Sequence, residues 1–314
     1  MDGLCDIVLE GGGIKGTGLV GAVSVLHQRG YRFQRVAGTS AGAIVGSLVA
    51  AGMPMETLVN TMRGLDYRKF RDKGMLDRLG LPGQGFSLVF EKGIYEGKYF
   101  LTWLTDQLAQ LGVHTFADLA LTEPWAQKLP PQQRYKLVVI VSDVSRGRLI
   151  RLPWDYHLYG LNPDEQPVAE AVRASMSIPF FYEPVNLNGN YLVDGGLLSN
   201  FPIDIFDDHN EWPTFGIKLS ARADALTGMN PVRTPIDYSL AILSTAMNAH
   251  DQIHVDNPCT QKRTIFVDTF GIKATDFEVS KDQKQKLFDS GVKYATEFLA
   301  TWNYKTYLKE CPLS

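Results

Sequence analysis

Short apolar runs that end in glycine clusters, followed by longer stretches with apolar residues three or four apart, dominate the first fifty residues. Leu4 to Leu9 is apolar apart from Asp6 and ends in Glu10 and three glycines, which predicts a buried first strand. Gly18 to Arg29 puts Leu19, Val23 and Leu26 on one face and stops at Gly30, the pattern of a helix. Phe33 to Ala37 reads as a second strand. Ala41 to Ala51 reads as a buried helix stopped by Gly52 and Pro54. Two strand–helix units in succession predict an α/β fold with a largely parallel central sheet.

Further along, Met55 to Arg63 continues as helix. The segment from Gly64 to Gly97 is broken by glycines and Pro82 and mixes apolar with basic residues. It reads equally as a lid over a binding site or as a packed connector. Lys98 to Leu111 has helical spacing, and Leu137 to Val141 is the clearest buried strand, with Leu149 to Leu152 as a candidate partner. Gln166 to Met176 reads as a helix, Tyr191 to Val193 as a strand running into Asp194-Gly195-Gly196, and Thr214 to Leu219 as another strand. The last hundred residues predict helix (Pro235 to Ile253), strand (Arg263 to Val267) and helix (Ser280 to Trp302). No Pro- or Ser-rich linker and no internal repeat divides the chain. One domain over residues 1–314 is expected, its core at about 4–220 and the remainder an extension of it.

Composition narrows the function classes. A net charge of −3 argues against a nucleic-acid binder, which needs a basic surface. Cys5, Cys259 and Cys311 are too few and too scattered for a disulfide framework or a zinc site, and fit a reducing cytosol. The N-terminus lacks the basic start of a signal peptide. Val36 to Met53 is the stretch nearest to a membrane span, but its glycines, Thr39, Ser40 and the following Pro54 favour a buried helix. Any membrane contact is therefore expected to be peripheral, from the cytoplasm.

Three glycine-marked turns carry the chemistry. Gly11-Gly12-Gly13-Ile14-Lys15-Gly16 fits the dinucleotide-binding pattern Gly-x-Gly-x-x-Gly, yet the second strand ends without the acidic residue that would hold a ribose. Thr17 follows Gly16, so a P-loop is excluded too. What remains is a turn at a helix start that presents backbone N–H groups, a ready oxyanion hole beside a nucleophile. Lys15 either sets the electrostatics of that turn or is a solvated charge. Gly38-Thr39-Ser40-Ala41-Gly42 is the sole Gly-x-Ser-x-Gly in the chain, and it lies at a strand-to-helix junction. That is the pattern of a nucleophile elbow, with the Ala41 N–H as a further oxyanion donor. Asp194-Gly195-Gly196 offers an aspartate able to approach closely as a base for Ser40, or else an Asx-turn residue.

Histidine is the commoner base, and Ser40, Asp194 and His250 or His254 stand in the order of an α/β-hydrolase triad. In that fold, however, the nucleophile follows several strands, and here it follows the second. His250 and His254, four apart, make a poor metal pair without a zincin glutamate or a clear further ligand. His27, His114, His157 and His209 stand alone.

Together the three turns resemble the patatin-like phospholipases, and the likeness extends through Ala174 to Pro179, Asn200-Phe201-Pro202 and the terminal helix. The resemblance implies a three-layer α/β/α sandwich and a Ser40–Asp194 dyad without histidine. It also implies an oxyanion hole at Gly11, Gly12 and Gly13, and metal-free, cofactor-free hydrolysis of lipid acyl esters through an acyl-enzyme. Lys15, Gly16, Gly38, Gly42, Gly195 and Gly196 support the motifs. The expected partner is a phospholipid or other acyl lipid at a membrane surface. A transacylase with the same dyad and a non-catalytic nucleotide- or lipid-binding module are the alternatives.

Overall fold

Strand β1 (Leu4–Leu9) is buried from Cys5 onward, as its apolar run requires, and it sits near the middle of an eight-stranded sheet. The computed structural model describes residues 3–70, 97–207, 211–219, 238, 241, 245, 256–272, 274 and 278–311. The predicted lid-or-connector between Gly64 and Gly97 and the predicted helix Pro235 to Ile253 lie largely outside the described residues. His209, His250 and His254 lie wholly outside them.

After β1, the chain enters α1 (Gly16–Gln28), β2 (Arg32–Thr39), α2 (Ala41–Ala50) and α3 (Met55–Gly64). Every residue of α2 is buried, so the stretch that came nearest to a membrane span is a core helix. Among the described residues no helix is long and apolar enough to cross a membrane. Next come α4 (Lys98–Ala109), β3 (Leu137–Asp143), β4 (Arg148–Leu152), α5 (Val168–Ser175), β5 (Val185–Leu187), β6 (Asn190–Asp194) and β7 (Thr214–Lys218). The chain closes with α6 (Pro258–Lys262), β8 (Thr264–Phe266), α7 (Lys281–Thr301) and α8 (Tyr304–Glu310).

Strands β3, β2, β1, β7 and β8 run parallel in that order, while β4, β5 and β6 pair antiparallel beyond β3. The result is a mixed, mostly parallel sheet flanked by helices, the α/β sandwich expected from the sequence. One feature of the register places the chemistry. β4 occupies one edge of β3 from Val139 to Asp143, so β2 and β6 must share the other edge. Thr39 pairs with Ile140 and Asp194 pairs with Val141. The ends of two strands that are remote in sequence therefore meet over adjacent residues of β3.

The C-terminal helix belongs to the same packing. A side-chain carbon on Gly291 of α7 would fall 2.1 Å from the Gly18 carbonyl oxygen, so α7 lies backbone to backbone on α1. Lys284 of α7 donates to the carbonyls of Arg63 and Leu65, satisfying orphan acceptors at the end of α3. The cysteines depart from expectation. Cys259 in α6 and Cys311 after α8 form a disulfide across 52 residues of sequence, with the Lys262–Glu310 ion pair at 2.6 Å beside it. A two-cysteine staple of this kind carries no spacing signal, so the count and scatter of the cysteines did not disclose it. Cys5 alone is a free, buried thiol.

Candidate active site

Ser40 occupies the junction between β2 and α2 with φ 51° and ψ −120°, a conformation that is costly for a non-glycine residue. Close packing enforces it. A side-chain carbon on Gly38 would lie 2.3 Å from the Gly42 carbonyl oxygen, and one on Gly42 would lie 2.2 Å from that of Leu9. Both flanking glycines of the elbow are thus sterically required, as the motif predicts. The Ser40 N–H donates to Ser175 Oγ at 2.9 Å, and Ser175 Oγ donates to the Ile140 carbonyl at 2.6 Å. Thr39 Oγ1 donates to the Ser199 carbonyl at 3.2 Å. The Ser40 backbone is therefore tied to β3 through Ser175, and the preceding Thr39 to the turn after β6. The Ser40 hydroxyl lies 3.7 Å from Met176 Sδ.

Asp194, at the end of β6, is 2 % exposed, and the Ser40 side chain is near enough to act on its carboxylate. That carboxylate accepts from the Gly196 N–H at 2.8 Å, so the Asx-turn aspartate and the candidate base are the same residue. A side-chain carbon on Gly195 would fall 2.3 Å from the Ile140 carbonyl oxygen, which explains the glycine there. Burial pushes the Asp194 pKa up to about 6, against the opposing hydrogen bonds from Gly196 and Ser40. Among the described residues no histidine is hydrogen-bonded to Ser40 or Asp194, and His157 instead has its Nδ1 2.9 Å from the Trp154 carbonyl.

The glycine turn also packs against Ser40. A side-chain carbon on Gly11 would sit 3.2 Å from Ser40 Cβ. The Gly11 N–H donates to the Asn200 carbonyl at 3.1 Å, and Asn200 Nδ2 returns a bond to the Gly11 carbonyl at 3.2 Å. The Ile14 N–H goes to the Ala274 carbonyl (3.2 Å) and that of Lys15 to the Gly12 carbonyl (3.1 Å). Among the described residues this leaves the amides of Gly12 and Gly13, with Ala41 at the first turn of α2, as candidate anion donors. Gly11 fixes the turn instead of donating from it, which narrows the set expected from the sequence. Gly16 opens α1 and packs on Ala41.

Lys15 is not the solvated charge considered from the sequence. It is half-buried, with Nζ 3.3 Å from the Leu219 carbonyl, and burial lowers its pKa, with Lys218 acting in the same sense and Glu10 opposing. Ser175, Asn200, Glu10 and Lys218 had no role assigned from sequence. Ser175 and Asn200 fall in the stretches that carry the resemblance, whereas Glu10 directly follows β1 and Lys218 ends β7, and neither carries a local signal. Among the described residues no group of three His, Cys, Asp or Glu is placed to hold a metal ion.

The chain is similar to several known proteins. The chain is 36% identical over 303 residues to the uncharacterized protein YqhO of Bacillus subtilis, spanning 95% of this chain and 99% of that one. It is 23% identical over 234 residues to the lysophospholipase NTE1 of Saccharomyces cerevisiae, covering 74% of this chain but 11% of that much longer protein. Among solved structures, VipD from Legionella pneumophila superposes with a TM-score of 0.56 at 18% identity, over 95% of this chain and 67% of that one. ExoU of Pseudomonas aeruginosa, in its heterodimeric complex with SpcU, gives 0.51 at 18%, over 98% of this chain and 52% of that one. These two likenesses carry the fold alone. The model of the patatin-like phospholipases matches residues 7–207, from β1 past the Asp194 turn, and on that match the chain belongs to this family of ester-hydrolysing enzymes.

Proposed function

We propose that the protein is a lipid acyl hydrolase of the phospholipase A or lysophospholipase type, working through a Ser40–Asp194 dyad at a membrane surface. The observation that carries this reading is the pairing of a strained, buried serine with a desolvated aspartate whose pKa lies near 6. An ordinary carboxylate is too weak a base at neutral pH, and burial brings Asp194 closer to the range that general-base catalysis needs.

In the acylation step Asp194 takes the Ser40 hydroxyl proton as Oγ bonds to the ester carbonyl carbon. The carbonyl oxygen becomes an oxyanion facing the Gly12, Gly13 and Ala41 amides, which stabilise charge present only in the transition state and intermediate. The bond to the lipid alcohol then breaks, and Asp194 returns the proton to that leaving oxygen. Water, deprotonated by the same carboxylate, attacks the acyl-serine, and the fatty acid leaves as Ser40 recovers its proton.

Hydrolysis of a short-chain nitrophenyl ester and of fluorescent phospholipid vesicles, with chelator present, tests the reading. Ser40→Ala and Asp194→Asn should each lower kcat at least about 10³-fold on both substrates. Wild-type kcat/KM should rise with pH through about 6 and level off above it, because the base must be ionised. A variant within tenfold of wild type, or a rate that falls across that window, defeats the assignment.

A further inference from the structure

β1 and β7 run parallel and end together, with Leu9 opposite Ile217. Directly beyond that last pair, the Glu10 carboxylate accepts from Lys218 Nζ and from the Leu219 N–H, and all three partners are buried. Lys15, from the far side of the glycine turn, donates to the Leu219 carbonyl at 3.3 Å. The two polar groups of Leu219 are thereby gripped from opposite ends of the turn, its N–H by the residue before Gly11 and its C=O by the residue after Ile14. Its side chain closes the gap: a carbon on Gly12 would fall 2.6 Å from Leu219 Cδ1. Lys218 Nζ also lies 5.3 Å from the ring centroid of Phe201, the neighbour of Asn200, whose backbone and amide hold Gly11.

We propose that Glu10 and Lys218 are positioning residues, a buried ion pair that locks the Gly11–Gly13 turn onto the end of β7 and so aims the Gly12 and Gly13 amides at the Ser40 side. The proposal rests on the reading of those amides as oxyanion donors. A hydrophobic pair would hold two strands together as well as an ion pair does, because burying charge yields little net stability. What the ion pair adds is a directional acceptor for the Leu219 N–H. Two ammonium groups, that of Lys218 on the Glu10 carboxylate and that of Lys15 on the Leu219 carbonyl, also flank the turn, which favours negative charge beside it.

Two readouts test this on the full chain, kinetics on a nitrophenyl ester and hydrogen exchange of the amides in residues 10–16. Glu10→Gln and Lys218→Met should each lower kcat about 10–100-fold with KM within about twofold, since donors displaced by an ångström fail the transition state more than the substrate. Exchange in residues 10–16 should quicken in both variants while that of β3 stays unchanged. Lys218→Arg, which keeps the charge, should recover most of the rate. Losses carried by KM, losses that track a fall in melting temperature, or unaltered exchange in the turn would overturn the proposal. If wild-type protein hydrolyses no ester, the functional reading fails by itself, and the exchange data still decide whether the pair holds the turn.

Discussion

The two ends of β1 each bury an ion pair, and the pairs differ in what surrounds them. At one end Arg35 of β2 meets Asp6 through its backbone N–H (2.9 Å), Nε (3.1 Å) and Nη2 (2.8 Å), with both side chains fully buried. The same guanidinium donates to the Phe206 carbonyl at 3.3 Å and stacks 4.4 Å from that ring's centroid. Among the described residues these contacts lie on strands β1 and β2 and on the buried Phe206. At the other end, four residues along, the Glu10–Lys218 pair borders a glycine turn, a strained serine and an aspartate whose pKa burial raises to about 6. One pair joins two strands. The other sits beneath groups that the fold would relax if it could. A buried charge pair is therefore no indicator of function by itself, and the strain and desolvation beside it are what separate the two ends.

The sharpest way to break this contrast is at the structural end. Arg35→Met leaves Asp6 charged and buried without its guanidinium, a change that costs about 3–5 kcal/mol when one partner of such a pair is removed. Urea denaturation should show that loss, while kcat per folded molecule, counted by titration of the reactive serine, stays at the wild-type value. A proportional fall in kcat would mean that the ends of β1 are not independent.

The same contrast explains what the sequence disclosed. Ser40 was legible because an elbow needs Gly38 and Gly42 at fixed spacing, and Asp194 because its approach to Ile140 needs Gly195. Strands β1, β2, β3 and β7 were legible from their apolar runs, within two residues at most ends. Contacts set by sheet register were not. That β2 and β6 share one edge of β3, so that Thr39 and Asp194 meet over Ile140 and Val141, depends on two pairings between residues remote in sequence, Thr39 with Ile140 and Val141 with Asp194. Glu10 and Lys218, 208 residues apart, are hidden for the same reason, and the short edge strand β5 has too few residues to show a pattern. Cys259 and Cys311 looked scattered because pairing is a property of the folded chain. Their disulfide closes a long loop far from the Ser40 turn in sequence and should contribute about 2–4 kcal/mol. Cys311→Ser should lower stability by that amount, with kcat unchanged and no further loss on adding reductant.

The smallest expected effect is the most specific to the catalytic end. Asp194 has a folded pKa of about 6 against an unfolded value of roughly 3.9, so between those values the native state holds more protons than the unfolded chain. Stability assigned to this group is thus highest below pH ~4, declines as pH rises to about 6, and is fully lost above that. Asp194→Asn removes the ionisation while keeping an oxygen to accept from Gly196. At pH 8 this variant should be more stable than wild type by about 1–3 kcal/mol, and at pH 4 the two should converge. Arg35→Met would show the opposite sign at neutral pH. A constant difference between Asp194→Asn and wild type across pH 4 to 8 would mean that the aspartate is not held against its preferred charge, and the distinction between the two ends of β1 would reduce to geometry alone.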